Sequence, residues 1–410
     1  MKRIALIVNT LSTGGAERVA ANLSRELSER YLVDIILNDR VNIRYPYKGE
    51  IISVGMPASE DRMGAGYQIK ALIKRTMLLR RLKKERDYTA AISFSDNTNL
   101  SNVLSGRKRC KTIVSVRYSL SGKEINENRK NIIYRTALRL SCMLATDVVC
   151  CAREIRDEIA ELYYHKPEKL AVIYNGVRVD PGSAAGKVRQ ADQADLRIIT
   201  VGRLSGAKSQ WHLLFALKEL KDRGMRVNLT VLGEGRLRTR LEELIRALDI
   251  ADQVSMPGWV DDPYSYIREA DASVITSYCE GFSNSIMESL ACGVPCISTD
   301  HYTGAREILA PDTDPSDKVH DRIDFAEYGI LIPVCGGKIS DVFADNGVEH
   351  EPRSITAEEK LIADAVQTLL SDKEMAAHYK EAGLERAQQL SWESVAEQWV
   401  EIIEGKPSEM

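Results

Sequence analysis

Nowhere in its 410 residues does the chain hold an uncharged apolar stretch of the roughly 18 residues that cross a bilayer as a helix. The opening MKRIALIVNTLSTGG has a basic pair and an apolar run but no small-residue cleavage site. It therefore reads as a first buried strand, and neither export nor membrane spanning is expected. Glycine (26) and proline (12) are too few for a fibrous or low-complexity chain, and 44% hydrophobic with 28% charged residues excludes disorder. The eight cysteines show no CxxC pairing and sit mostly in apolar segments, which predicts reduced, largely buried thiols and a cytoplasmic protein.

The length exceeds one ordinary hydrophobic core and predicts two domains. The net charge of −3 conceals an asymmetry: residues 1–180 carry 32 Lys and Arg against 20 Asp and Glu, a surplus of 12 positive charges, while the remainder carries 24 against 39. A basic half fits an anionic partner such as phospholipid or a diphosphate-linked acceptor; a chance spread of solvated charges fits as well. Nucleic acid is not expected, because the basic half lacks interleaved aromatics and any nucleic-acid motif.

Apolar runs at 2–9, 32–37, 89–94, 111–116, 147–151 and 170–173 read as strands, with helical spacing between them, as in Val19, Ala20, Leu23 and Leu27. The stretch 181–195 (PGSAAGKVRQADQAD) is small, polar and aperiodic, so it reads as an interdomain connection. A second series follows at 196–201, 227–232, 254–256, 272–275, 295–299 and 330–334, with the run near 340–351 as a loop and helices over 356–370, 373–390 and from 392 onward. Alternating strands and helices predict an α/β protein with two doubly wound parallel sheets, residues 1–182 and 183–391, and a cleft facing the strand ends.

Three segments carry the residue types of a phosphate and sugar site. The loop STGGAER joins the first strand to its helix, where Gly14 and Gly15 let backbone approach an anion, or merely form a tight turn. It is neither GxGxxG nor a P-loop. In VGRLSGAKS, Arg203 follows a strand and Lys208 lies five residues on, a guanidinium and an ammonium suited to a diphosphate, or else two solvated charges flanking a loop. In EGFSNSIMESLACGVP, Glu280 and Glu288 bracket a helix start, Glu280 in the loop and Glu288 about two turns inside the helix, with the Ser283, Asn284 and Ser285 amides available to phosphate oxygens; a carboxylate so near a helix N-terminus fits simple dipole compensation as well. Apolar neighbours of Glu288 imply burial, and a buried carboxylate needs a partner.

These segments, with YNGV at 174–177, LGEG at 232–235, PGWVDD at 257–262 and TGAREIL at 303–309, resemble glycosyltransferase family 4 in order and approximate spacing over about the whole chain. The resemblance implies the GT-B fold and a retaining transferase that uses nucleoside-diphosphate sugars. Arg203 and Lys208 would hold the donor diphosphate, with Gly14 and Gly15 approaching phosphate from the N-terminal domain. Glu280 would bind sugar hydroxyls, Glu288 the ribose, and the backbone of Gly258, Trp259 and Val260 the base. Gly202, Gly233, Gly281, Phe282, Ser283, Asn284 and Ser285 would complete the donor site. Many members carry a His where this chain has Arg117, which would meet the donor sugar or phosphate; the usual Gly after the loop lysine is Ser209. The last helix, from Trp392, would cross back to the N-terminal domain.

No clear DxD cluster stands at a strand end, so no metal and no cofactor beyond the donor, expected to be UDP-linked, is expected. The resemblance points to bacterial surface-polysaccharide synthesis, with a hexose or N-acetylhexosamine passed to a lipid-linked or glycan acceptor. An epimerase-like enzyme on a similar scaffold, or a silent nucleotide-sugar binding module, are the alternatives; intact Arg203, Lys208, Glu280 and Glu288 argue against the latter. Residues 68–86 set Ile69, Leu72, Ile73, Met77 and Leu82 among eight Lys and Arg. That pattern fits a helix lying on anionic lipid at the inner face of the cell membrane, and equally one packed on its own sheet with a charged outer face.

Overall fold

Each half of the chain builds one seven-stranded sheet. The computed structural model describes residues 1–12, 14–57, 64–106, 109–119, 131–163, 169–179, 196–343 and 351–405. The proposed connection at 181–195, with the 182/183 boundary, and most of the loop near 340–351 lie outside the described residues. Two compact units emerge, Met1–Gly176 with Trp392–Met410, and Val177–Ser391.

The first unit holds strands β1 (Arg3–Ile7), β2 (Leu32–Leu37), β3 (Glu50–Ser53), β4 (Ala90–Ser93), β5 (Lys111–Val116), β6 (Asp147–Cys150) and β7 (Leu170–Val172). Its helices are α1 (Gly15–Leu27), α2 (Ala65–Glu85), α3 (Asp96–Leu104), α4 (Asn131–Leu144) and α5 (Arg153–Tyr163). The strand order is β3-β2-β1-β4-β5-β6-β7, and every pairing is parallel. Covered on both faces, the central strands are unbroken apolar runs, as in Ile4–Ile7, rather than alternating ones. The apolar-run reading missed β3, a four-residue edge strand whose side chains are only half-buried.

The second unit holds β8 (Leu196–Val201), β9 (Val227–Leu232), β10 (Val254–Gly258), β11 (Ala272–Ile275), β12 (Cys296–Thr299), β13 (Asp324–Phe325) and β14 (Ile330–Ile332). Its helices are α6 (Trp211–Asp222), α7 (Arg238–Ala247), α8 (Pro263–Ile267), α9 (Asn284–Ala291), α10 (Ala305–Leu309), α11 (Ala357–Ser371) and α12 (Lys373–Gln389). The order is β10-β9-β8-β11-β12-β14-β13, parallel except for the β13–β14 pair. The two-residue β13 also escaped sequence reading, since two residues show no period. Buried His212 and Glu359 tie α6 to α11: His212 Nδ1 lies 2.7 Å from Glu359 Oε1, and half-buried Arg353 holds both Glu359 oxygens.

The last helix, α13 (Trp392–Glu404), belongs to the first unit. It packs on α1 and drives Val395, Trp399 and Ile403 into the core, with Trp399 against Phe94 at 6.0 Å between ring centroids. The Trp392 indole lies so close over Gly176 that a Cβ there would stand 2.5 Å from the ring, which accounts for the glycine of YNGV. Seven of the eight cysteines are buried and all are free; burial pushes the Cys142 thiol up to about 12.

Helix α2 packs one side against its own sheet, but the outer face is not purely charged and the inner side is not purely apolar. Its inner side takes Ala71, Leu79 and Leu82 but also Arg75 and Lys83, while Ile69, Ile73 and Met77 are 58%, 53% and 68% exposed. Arg75 donates to Asn38 Oδ1 (2.6 Å) and Asn9 Oδ1 (3.3 Å), and Lys83 to Asn102 Oδ1 (2.9 Å) and Gly106 O (3.0 Å). Burial lowers the Lys83 pKa to about 8. The cations turn inward because polar groups of α3 and of the loops beyond β1 and β2 receive them. An apolar stripe at positions four residues apart is left outside.

Candidate functional site

Doubly wound sheets bind ligands beyond the carboxyl ends of their strands, where strand order reverses. In the second sheet that point lies between β8 and β11, and the loops leaving those two strands carry residues 202–209 and 276–283. The Tyr278 amide donates to Ala207 O (2.8 Å), and Thr276 Oγ1 donates to the carbonyls of Lys208 (3.2 Å) and Ser209 (3.1 Å). These bonds bring Lys208 and Glu280 together across 72 residues of sequence, and Lys208 Nζ donates to Glu280 Oε1. Ser277 Oγ donates to the same oxygen at 2.8 Å. The two side chains are 23% and 15% exposed, so the pair is half-sheltered yet reachable.

Burial pushes the Glu280 carboxyl upward, but the Lys208 ammonium, the His301 ring and the hydrogen bonds from Lys208 and Ser277 together hold it below the ordinary carboxylate value. Lys208 closes a single 3-10 turn, Gly206–Lys208, after which Ser209 adopts left-handed φ 49 and ψ 35. This is the geometry that the family's usual glycine favours; here the Ser209 hydroxyl donates to Gly206 O at 2.8 Å, a local bond that offsets part of the cost. Arg203 leaves the same strand end but stands exposed, apart from the Lys208–Glu280 pair.

The segment after Glu280 runs through Gly281 and buried Phe282 to Ser283, the N-cap residue of α9, whose Oγ lies 3.0 Å from Ser285 Oγ. Asn284 opens the helix, and Glu288 is buried one turn into it, not the two turns expected, because the helix starts only at Asn284. Gly202, Gly233 and Gly258 end neighbouring strands. The Gly202 amide donates to Leu232 O and the Gly233 amide to Gly258 O, both at 2.9 Å. At Gly233, φ is 133 and a Cβ would fall 2.0 Å from the Gly202 carbonyl oxygen, so no side chain fits where these strand ends meet. Trp259 is 39% exposed just beyond β10, and Val260 packs on the cluster containing Ile199 and Leu232.

Of the loop after β12, the sequence pointed only to its end, where TGAREIL begins at Thr303, and not to His301. The loop backbone is tied to the site: the Glu280 amide donates to Tyr302 O (3.3 Å), and Thr303 Oγ1 donates to Glu280 O. His301 is fully buried there, with no hydrogen-bond partner for Nε2, and burial lowers its pKa to about 4 despite the nearby Glu280 charge. Beside it Asp300 receives Arg306 through Nε (3.0 Å) and Nη2 (2.7 Å) and the Val319 amide (3.0 Å). The motif TGAREIL contains Arg306, but only the fold shows that its guanidinium anchors the loop carrying His301.

In the first unit, Gly14 caps α1 and Gly15 is exposed. The Gly14 amide donates to Glu17 Oε2 at 2.7 Å, and Thr10 Oγ1 donates to Glu17 Oε1. A phosphate reaching this amide would meet the Glu17 carboxylate already seated on it, a feature the glycine pair did not reveal. Arg117, beyond β5, donates to Asn175 Oδ1 and, at 3.4 Å, to Ser115 Oγ. Burial lowers its pKa from the ordinary arginine value.

Among the described residues no three His, Cys, Asp or Glu gather in a metal-holding group, and no helix is long and apolar enough to cross a membrane. A cleft of about 350 Å³ lined by Arg197, Asn228, Gln253 and Glu269 opens at the opposite, amino-terminal strand ends of the second sheet, away from all the residues above.

Residues 13–181 match the family model described as Glycosyltransferase Family 4, and residues 186–316 that described as Glycosyl transferases group 1. An uncharacterized glycosyltransferase of Methanocaldococcus jannaschii is 33% identical over 207 residues, 50% of this chain and 49% of that protein. The chain thus spans about half the length of that relative. The N-acetylgalactosamine-N,N'-diacetylbacillosaminyl-diphospho-undecaprenol 4-alpha-N-acetylgalactosaminyltransferase of Campylobacter jejuni is 26% identical over 341 residues, 82% of this chain and 87% of its own. Among solved structures, sucrose-phosphate synthase from Thermosynechococcus elongatus superposes with a TM-score of 0.76 at 17% identity, covering 99% of both chains. Anabaena HepE in complex with UDP and glucose gives 0.70 at 16%, covering 98% of this chain and 100% of its own. With both halves matched and two doubly wound parallel sheets in place, the chain belongs to glycosyltransferase family 4 and has the GT-B fold.

Proposed function

We propose that this glycosyltransferase moves a hexose or N-acetylhexosamine from a UDP-sugar to a lipid-linked or glycan acceptor in surface-polysaccharide synthesis, with retention of configuration. The observation that carries the reading is the Lys208–Glu280 pair at the switch point of the second sheet. The name of the Campylobacter jejuni relative, which specifies an undecaprenol diphosphate acceptor, and the UDP held by HepE support the acceptor and donor classes.

Breaking the bond from sugar C1 to the diphosphate oxygen leaves the electron pair, and negative charge, on the β-phosphate. Lys208, Arg203 and the backbone amides opening α9 answer that charge, in the role a divalent cation plays elsewhere. A diphosphate drawing Lys208 to itself releases Glu280 to accept hydrogen bonds from sugar hydroxyls, so donor binding and sugar positioning are coupled through one ion pair. The acceptor hydroxyl attacks the face that the leaving group vacates and gives its proton to the departing phosphate; Glu280 orients the sugar and forms no covalent bond.

The acceptor belongs to the basic N-terminal unit. The exposed Ile69, Ile73 and Met77, flanked on α2 by exposed Lys70, Lys74 and Arg81, form an apolar stripe with cationic edges, as peripheral helices on anionic lipid present. A thermal-shift panel of UDP-, GDP- and ADP-sugars tests the donor, followed by NMR of the product's anomeric configuration. Stabilisation by UDP-sugars and an anomer matching the donor are expected. Inversion, or epimerised UDP-sugar without transfer, would overturn the reading.

A further inference from the structure

We infer that Asp96, Tyr118 and Tyr134 form a saccharide-binding subsite on the N-terminal unit, recognising the terminal sugar of the acceptor; this rests on the transferase reading above. Asp96 follows β4, one of the two strands flanking the reversal of order in the first sheet, where such a sheet binds its ligand. Tyr118 lies just beyond the carboxyl end of the neighbouring β5, and Tyr134 in the first turn of α4. Tyr118 donates its phenol hydrogen to Asp96 Oδ1, Tyr134 donates to the Tyr118 oxygen, and the Tyr134 oxygen also lies 3.3 Å from Asp96 Oδ1. The rings stand 6.0 Å apart at 39°, and all three side chains are half-buried, within reach of a ligand.

Two features separate this cluster from a structural helix cap. Capping of α3 is supplied by Ser95 and Thr98: the Ser95 amide donates to Thr98 Oγ1 at 3.0 Å. Asp96 is therefore not needed for that purpose. The group is also chemically apt. A carboxylate accepts hydrogen bonds from sugar hydroxyls as it does from phenols, so a sugar can exchange for partners held in its absence. Tyrosine presents an apolar face to the sugar's C–H side and a polar tip to its hydroxyls. The neighbouring Arg117, held by Asn175, keeps a positive charge on the same edge.

The test uses the full chain saturated with UDP and the methyl glycosides of glucose, galactose, N-acetylglucosamine and N-acetylgalactosamine as probes, followed by saturation-transfer NMR. At least one glycoside should bind the wild type. Asp96→Asn and Tyr134→Phe should each weaken it about tenfold to a hundredfold, the loss expected of a hydrogen bond to a charged group, while UDP affinity measured by calorimetry stays unchanged. Tyr118→Phe, which removes a single oxygen, provides a gentler variant with the same expected direction. Glycoside binding equal to wild type in all three variants, or no glycoside bound while UDP binds, would overturn the subsite alone. If UDP itself fails to bind the wild type, the donor reading falls and takes the subsite with it.

Discussion

Lys208 and Glu280, 72 residues apart, neutralise each other at the point where the second sheet reverses its strand order. The pair is assembled by backbone bonds between the loops after β8 and β11, so each side chain is positioned by the sheet and not by its sequence neighbours. Lys208→Ala and Glu280→Gln should each lower sugar transfer by about a hundredfold to a thousandfold, the usual loss on removing one electrostatic group from such a site. Far-UV circular dichroism should not change. Turnover equal to wild type in either variant would remove that residue from the chemistry.

Acid should destabilise the protein through His301. Its ring, buried beside Glu280, has its pKa lowered to about 4, against 6.5 in an unfolded chain. Between these values the unfolded state binds the extra proton, so stability is highest above pH 6.5 and falls as pH drops toward 4, by at most on the order of 3 kcal/mol. Glu280, whose pKa is also lowered, adds a loss only at the acid end, below its unfolded value. Melting temperature measured across this range should show the slope, and His301→Gln should flatten it; an unchanged slope in the variant would place the titration elsewhere.

Gly233→Ala should cost about 2–4 kcal/mol, combining left-handed backbone strain with a Cβ driven onto the Gly202 carbonyl. Gly206→Ala is the control, since a Cβ there meets nothing within 4 Å. Urea midpoints compare the two, and similar losses would show that the strand-end contact is not the cause.

Sedimentation with anionic vesicles should be strong at low salt and fall steeply as salt is raised, because the lysines and arginines of α2 act through a screened field. Replacing Ile69, Ile73 and Met77 together by Ser should abolish it while leaving UDP binding intact, since all three already face outward. Vesicle binding by the triple variant equal to wild type would move the membrane contact away from α2.

The buried parallel strands were legible because burial on both faces writes them as continuous apolar runs; β3 and β13 were not, being short and at sheet edges. Glycine-bearing loops marked the strand ends, and the occupancy of the Gly14 amide by Glu17 follows the N-cap-to-N3 spacing of a capping box that the glycine reading passed over. For α2 the composition indicated a basic amphipathic helix, but not that Arg75 and Lys83 would turn inward. That choice was made by the amide and carbonyl groups of Asn38, Asn102 and Gly106, contributed by other elements.

What the amino-acid order determined by itself is local: where strands and helices form, which turns need glycine, and that Arg203, Lys208, Glu280 and Glu288 stand at strand ends or helix starts. Tertiary structure alone decided which of them meet, placing Lys208 on Glu280 and leaving Arg203 exposed, and bringing an unforeseen His301 beside the carboxylate. The physical reason is range. Periodicity and turn chemistry act over a few residues, whereas an ion pair or a buried imidazole depends on strand order, which brings together loops distant in the chain.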